Sequence, residues 1–259
     1  MAFLISWVTW LPMYGPVLGV QGLPRIPFNH ALGGLGPMLA AIIATRVFSG
    51  QQGVKQLLTK GVRITSWPYL LIALLSPFVL YLFAATISYF VSGNPVDLKG
   101  LQTVKEFPQF NLPAFFLYNL IFFGFGEETG WRGFALPRLQ AHMHPVAAAC
   151  LLTCFWALWH LPLFLYRPGY TSMDVYGIVG WVMSLLTGSV LLSWLYNASK
   201  GNVLICAVFH STIDIIFTAD IADKNINGYM GALITIWGLT ILFFLKRKQA
   251  VMESTAGYR

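Results

Sequence analysis

The sequence predicts an all-α polytopic bundle of about eight transmembrane helices. The chain has 259 residues, of which 57% are hydrophobic and only 10% are charged. A soluble domain carries about 25% charged residues, so this chain has too few charged residues to cover the surface of a soluble protein of its size. Apolar stretches close to the length of about 20 residues that a spanning helix needs also recur along the whole chain.

The apolar stretches give the predicted elements in order. Spans are predicted at residues 3–20, 31–48, 68–91, 112–128, 145–161, 176–197, 201–218 and 228–245. Pro12 and Pro16 interrupt the first span. The sequence shows no second domain, internal repeat or low-complexity tract, so residues 1–259 are predicted to form one membrane domain.

Residues 50–67, between the second and third spans, are predicted to form an amphipathic connector. Val54, Leu57, Leu58 and Val62 recur there at helical spacing, whereas lysines take the other faces. Residues 94–113 are predicted to be a polar loop at the opposite side of the membrane.

The basic residues predict the orientation of the chain. The net charge is +7, and eight alternating spans place eleven of the 16 Lys and Arg residues on one side of the membrane. The five on the other side are Arg25, Lys99, Lys105, Arg167 and Lys224. By the positive-inside rule the richer side is cytoplasmic. We therefore expect an integral plasma-membrane protein with both termini in the cytoplasm, surrounded by lipid and without a nucleic-acid partner.

The three cysteines lie in apolar segments and lack the CxxC spacing of a metal site. Cys150, Cys154 and Cys206 are predicted to be inert thiols of the core, with packing rather than a disulfide explaining the first two.

Two adjacent acids, Glu127 and Glu128, end the apolar run of the fourth span. A carboxylate in hydrocarbon costs about 2.5–3.5 kcal/mol, which makes an intramembrane acid a candidate functional residue. Glu128 can reach Arg132 four residues on, in an ion pair that fixes the helix end. Glu127 points to another face without a local partner, and is suited to act as a general base.

Two histidine segments follow. His160 closes an aromatic helix that Pro162 ends, and taken alone it could equally be a hydrogen-bonded residue at the membrane interface. His210 and Asp214 lie four residues apart and share a helix face, as a metal-ligand pair, an oriented base or a transporter's proton relay would. Together with Glu127, these side chains are of the types that activate water and stabilise an oxyanion.

These motifs resemble those of the CPBP family of intramembrane proteases, also called the CAAX-protease and bacteriocin-processing or Abi family. The resemblance covers residues 30–218. Its three motifs are Glu127-Glu128-Thr129-Gly130-Trp131-Arg132-Gly133, Phe155-Trp156-Ala157-Leu158-Trp159-His160 and His210-Ser211-Thr212-Ile213-Asp214.

The resemblance implies a role for each motif residue. Glu127 and His160 would activate the attacking water, while His210 and Asp214 would polarise the scissile carbonyl and hold the oxyanion. Glu128 would shape the site. The residues that would support it from behind are Arg132 and Trp131.

Asp214 departs from the family pattern, in which asparagine is common at this position. An ionised carboxylate would repel an oxyanion, so Asp214 must be protonated, orient His210 or bind a metal. The resemblance leaves the cofactor open between zinc and none. A zinc ion would be held by Glu127, His160, His210 and Asp214.

Three functions are consistent with these residues. The first is a membrane hydrolase, an endopeptidase that cleaves a peptide or protein near the cytoplasmic face, with prenylated CAAX proteins and leader peptides both open as substrates. The second is a non-catalytic bacteriocin-immunity or scaffold protein. The third is a proton- or metal-coupled transporter, which predicts polar residues in both membrane halves and a repeat; here the polar residues cluster toward the inferred cytoplasmic half.

Overall fold

The computed structural model describes residues 1–104, 107 and 109–256, with side chains up to Leu245. Lys105, predicted for the polar loop, lies outside the described residues. The helices, labelled in chain order, are α1 (Ala2–Tyr14), α2 (Asn29–Gly34), α3 (Gly36–Val62), α4 (Trp67–Ser92), α5 (residues 112–140), α6 (Pro145–Trp159), α7 (Leu163–Tyr166), α8 (Pro168–Thr171), α9 (Val175–Ala198), α10 (Val203–Thr218) and α11 (Ile226–Ala256). The predicted all-α bundle is confirmed.

Five helical segments of the described chain are long and apolar enough to cross a membrane. They are Asn29–Val62, Trp67–Ser92, Pro145–Tyr166, Val175–Ala198 and Ile226–Leu245. Two further apolar segments, Ala2–Leu18 and Val203–Thr218, are helical but shorter. The fourth predicted span corresponds to α5, which continues past the predicted end.

Helix α5 carries the acid pair and is irregular in a way that its sequence did not predict. Two π-helical stretches, Leu120–Phe125 and Thr129–Ala135, flank a short α-helical piece, Gly126–Glu128. Segments of π-helix are rare and are often found at functional sites. The extra residue in each π turn rotates the side chains that follow it, so the directions in which Glu127 and Glu128 point depend on the first stretch.

Glycines let neighbouring helices approach the backbone of α5. A Cβ atom on Gly130 would lie 2.6 Å from the carbonyl oxygen of Pro37 on α3, and one on Gly124 would lie 2.7 Å from that of Ala207 on α10. A side chain at either position would push the helices apart. The glycines therefore allow α3 and α10 to pack directly against the helix that holds the acids.

The predicted connector is the second half of α3, which bends at Gly50. This glycine has φ 65° and ψ −167°, a conformation that residues with a Cβ atom essentially do not adopt. Leu57 is 6% exposed and packs inward, but Leu58 and Val62 are 45% and 77% exposed. These two residues lie on the outer surface of the bundle, where an apolar side chain can contact lipid, and the amphipathic connector stays a prediction.

The cysteines are unpaired, as predicted. Cys206 is fully buried, with its sulfur 3.7 Å from the carbonyl oxygen of Leu192. Cys154, however, is exposed and Cys150 is partly exposed. The expectation of a core position is therefore wrong for Cys154, because an apolar residue of a membrane helix is as compatible with the lipid-facing surface as with the interior.

Replacing Gly130 by alanine should destabilise the bundle by about 1–3 kcal/mol, the usual cost of overpacking. The measurement is the unfolding midpoint of the purified protein in detergent. Gly180→Ala is the matched control, because it adds the same methyl group to α9 at a position with no atom within 4 Å. Equal stability of the two variants would contradict the close packing of α3 on α5.

Candidate active site

Three helices bring the predicted site residues together. Glu127 and Glu128 lie on α5, His160 follows the last residue of α6, and His210 lies on α10. These four residues are between 0% and 7% exposed. Asp214, one turn after His210, has a side chain that is 31% exposed, so it lies at the edge of an otherwise buried cluster.

Glu128 is the most enclosed member of the cluster. Its Oε1 atom accepts a hydrogen bond from Arg132 Nη1 at 2.9 Å, in the ion pair expected from their spacing. The same oxygen lies 2.7 Å from His210 Nδ1. The sequence did not predict this second contact, which joins α5 to α10. Because Glu128 shares an oxygen with two partners on different helices, it orients His210 in addition to pairing with Arg132.

Arg132 has further partners behind the site. Its Nη2 atom donates to the hydroxyl of Ser189 on α9 at 3.1 Å, and its guanidinium carbon lies 4.4 Å from the ring centre of Trp156. Such cation–π contacts are favourable, more so when the cation is desolvated. The orientation of the Glu128 carboxylate therefore depends on α9 and α6 as well as on α5.

Glu127 has a partner that the sequence analysis missed. The indole Nε1–H of Trp156 donates to Glu127 Oε2 at 2.6 Å. The other oxygen, Oε1, accepts no hydrogen bond from the described residues. One carboxylate oxygen is thus held and the other remains available, which is the arrangement that a base acting on water requires.

His160 is held by its own helix. The last turn of α6 tightens, so that the His160 amide donates to Ala157 O at 3.1 Å instead of to Trp156 O. That carbonyl is therefore free, and His160 Nδ1 lies 2.7 Å from it. A carbonyl oxygen only accepts hydrogen bonds, so Nδ1 carries the proton. In the neutral ring Nε2 then presents a lone pair.

The predicted pairing of His210 with Asp214 is only partly made. His210 Nε2 and Asp214 Oδ2 are 3.6 Å apart, which confirms that they share a helix face but is too long for a hydrogen bond. Since Nδ1 points at the Glu128 carboxylate, Nε2 is the ring atom that remains available. Asp214 is close enough to act electrostatically on His210 without occupying that nitrogen.

Trp156 is the central residue that sequence reasoning overlooked. Its ring centre is 5.7 Å from those of both His160 and His210, and its N–H binds Glu127. It precedes His160 by four residues, and helical spacing alone would have placed both on one face. Trp131, predicted as support, is 6% exposed and packs edge-on against Trp159 at 6.1 Å.

The proposed zinc set does not form a ligand cluster. Within the described residues no three His, Cys, Asp or Glu side chains are close enough together to hold a metal ion. The donors present therefore do not fit the zinc site that the motifs suggested.

Comparison with known proteins agrees with the motifs. Residues 109–216 match the family model described as type II CAAX prenyl endopeptidase Rce1-like. A protein of Methanococcus maripaludis named CAAX prenyl protease 2 is 27% identical over 103 residues, which is 38% of each chain. The chain thus aligns with less than half of the length of this curated relative.

The matched segment contains the acid pair, His160, His210 and Asp214. Both comparisons support the resemblance to the CPBP, or CAAX-protease, family that the motifs predicted, through residues 109–216. With its apolar helices the chain is an integral membrane protein.

Replacing Arg132 by alanine should destabilise the protein by about 3–5 kcal/mol, because Glu128 would keep a buried charge without its cation. Arg138→Ala is the control on the same helix, since the Arg138 side chain is exposed and its partners among the described residues are the Phe134 carbonyl oxygen and ring. Unfolding midpoints in detergent compare the two. Similar losses of stability in the two variants would show that the Arg132–Glu128 pair does not contribute more to stability than an exposed arginine does.

Proposed function

We propose that this protein is an intramembrane endopeptidase in which Glu127 and His160 activate a water molecule. The observation that carries the proposal is that one atom of each residue is available to bind water. Glu127 Oε1 has no hydrogen bond among the described residues, and His160 Nε2 presents a lone pair because Nδ1 is committed to Trp156 O. Both residues are held by Trp156, one through its side chain and the other through its backbone.

The reaction begins with a proton transfer. A water molecule held between Glu127 and His160 Nε2 gives a proton to the Glu127 carboxylate, and its oxygen attacks the carbonyl carbon of the scissile peptide bond. The carbonyl π electrons move onto oxygen, and a tetrahedral oxyanion forms. The proton then passes from Glu127 to the leaving nitrogen, the C–N bond breaks, and the products are a carboxylic acid and an amine.

His210 is proposed to stabilise the oxyanion through Nε2–H. With Nδ1–H bound to Glu128, the ring can donate from Nε2 only when both nitrogens are protonated, and the neighbouring carboxyl groups of Glu128 and Asp214 favour that cation. Asp214 then orients and stabilises His210 and makes no contact with the oxyanion. In this proposal a carboxylate can occupy the position where the family commonly has asparagine.

We propose a lipid-modified protein as the substrate class, cleaved near its carboxyl terminus. The support is the family description and the name of the curated relative, both of which refer to prenyl substrates. A site buried among membrane helices suits a substrate whose lipid anchor keeps the adjacent peptide at the bilayer. By the distribution of Lys and Arg, cleavage would take place toward the cytoplasmic side.

Replacing Glu127 by glutamine should lower kcat by about 10²–10⁴-fold, the usual contribution of a general base. The assay uses purified protein in lipid nanodiscs with a fluorescent farnesylated CAAX peptide. Asp174→Asn is the matched control, because it makes the same change at an exposed helix cap that asparagine can maintain.

Cleavage that survives Glu127→Gln would refute the assigned base. A wild-type protein that cleaves neither the farnesylated peptide nor a panel of leader peptides would favour the non-catalytic scaffold function.

Replacing Trp156 by phenylalanine should lower kcat while the protein stays folded. The variant keeps an aromatic ring beside Arg132 but loses the N–H that holds Glu127. A hydrogen bond to a charged group contributes about 1.5–3 kcal/mol, which corresponds to about a 10- to 100-fold change in rate. Trp194→Phe is the control, because this partly buried tryptophan has no side-chain hydrogen bond within the described part of the chain. Equal rates in the two variants would argue against this role of the indole.

A further inference from the structure

Helix α1 lies outside residues 109–216, the segment that matches the family, and its side chains nevertheless contact the residue that precedes His160. That residue, Trp159, is 1% exposed. Two hydrogen bonds and one ring contact join it to α1, and they involve both its backbone and its side chain.

The first contact satisfies a backbone carbonyl at the end of α6. In a continuing helix Trp159 O would accept from the amide of Leu163, but that amide donates to His160 O at 2.9 Å. The last carbonyls of a helix need other partners, above all within a membrane. Trp7 Nε1 on α1 donates to Trp159 O at 3.0 Å and so holds the backbone at the start of the His160 turn.

The second contact fixes the indole of Trp159. Its Nε1–H donates to the hydroxyl of Ser6 at 2.8 Å, and that hydroxyl donates to Gly33 O on α2 at 2.7 Å. Ser6 is 0% exposed. Because one hydroxyl proton and one lone pair are both used, the hydroxyl has a single orientation, and the indole is tied to two helices.

The indole in turn sets the surroundings of the His160 ring. The Trp159 and His160 ring centres are 4.9 Å apart with an angle of 87° between the planes. The Trp159 ring also packs against Trp10 of α1, with the ring centres 4.8 Å apart. A rotation of Trp159 would therefore displace the imidazole and the direction in which His160 Nε2 points.

Two glycines allow this arrangement. A Cβ atom on Gly33 would collide with the Trp10 indole, and one on Gly36 would collide with the Ser6 hydroxyl. The close approach of α1 to α2 and α3 is thus part of the same structure that places Ser6 against Trp159.

We propose that α1 positions His160, with Ser6 and Trp7 as positioning residues that act through Trp159. The role in catalysis rests on the function proposed above, whereas the effect on the His160 turn can be measured without any activity. Neither residue contacts the reacting atoms, so a change in them should alter the rate of the chemical step and leave substrate binding unchanged.

The test is Ser6→Ala, with Trp7→Phe as a second variant that removes the other hydrogen bond. Deuterium uptake by residues 157–166 should rise severalfold in both, with no change in residues 203–218. In the cleavage assay kcat should fall about 10-fold at unchanged KM, because small misplacements of a catalytic group are costly. Thr9→Ala is the matched control, since the hydroxyl of Thr9 donates within α1, to Ile5 O, and has no other partner in the described part of the chain.

The outcomes separate the two proposals. If the wild-type protein has no protease activity but deuterium uptake still rises in Ser6→Ala, the positioning of His160 is supported and the proposed function is refuted. Uptake and kcat that stay at wild-type values, a rise in KM alone, or equal effects of Thr9→Ala would overturn the inference.

Discussion

The buried carboxylate of Glu128 is the charge on which the arrangement of the site depends. A charge without solvent is tolerated only where partners of opposite sign or hydrogen-bond donors surround it. Arg132 from the same helix and His210 from α10 meet at one oxygen of this carboxylate, and Ser189 of α9 holds the guanidinium from behind. A single buried charge therefore joins three helices and determines the side from which His210 faces the site.

Adjacent acids in this protein have different surroundings. Glu127 receives one indole hydrogen bond and keeps an oxygen for water, whereas Glu128 is paired with a cation and an imidazole. Trp156 makes the difference possible, because an indole combines a large apolar body with a single N–H donor. Its apolar body packs among the rings of the bundle, and its N–H reaches Glu127, the acid of the adjacent pair that has no ion pair within the described residues. Distinct environments for neighbouring carboxyl groups are how one site obtains distinct chemical roles.

The polar chemistry is concentrated where the helices are irregular. Inside a membrane nearly every backbone group is used within its own helix, so a carbonyl becomes available only at a π stretch or a helix end. At the end of α6 two such carbonyls are released. Trp156 O accepts a hydrogen bond from the ring of His160, and Trp159 O accepts one from the indole of Trp7. The end of α6 thus frees the carbonyl that fixes the tautomer of His160 and the carbonyl through which Trp159 is attached to α1.

Local information in the sequence was sufficient for the membrane bundle, the Glu128–Arg132 pair and the shared face of His210 and Asp214, since hydropathy and i, i+4 spacing act over one or two helical turns. It could not distinguish lipid-facing from buried apolar residues, because hydrocarbon surrounds both. Only the tertiary structure decided that Glu128 binds His210, that Trp156 binds Glu127 and that α1 reaches Trp159. These contacts join residues 82, 29 and 153 positions apart, and no periodicity in the sequence records which helices become neighbours.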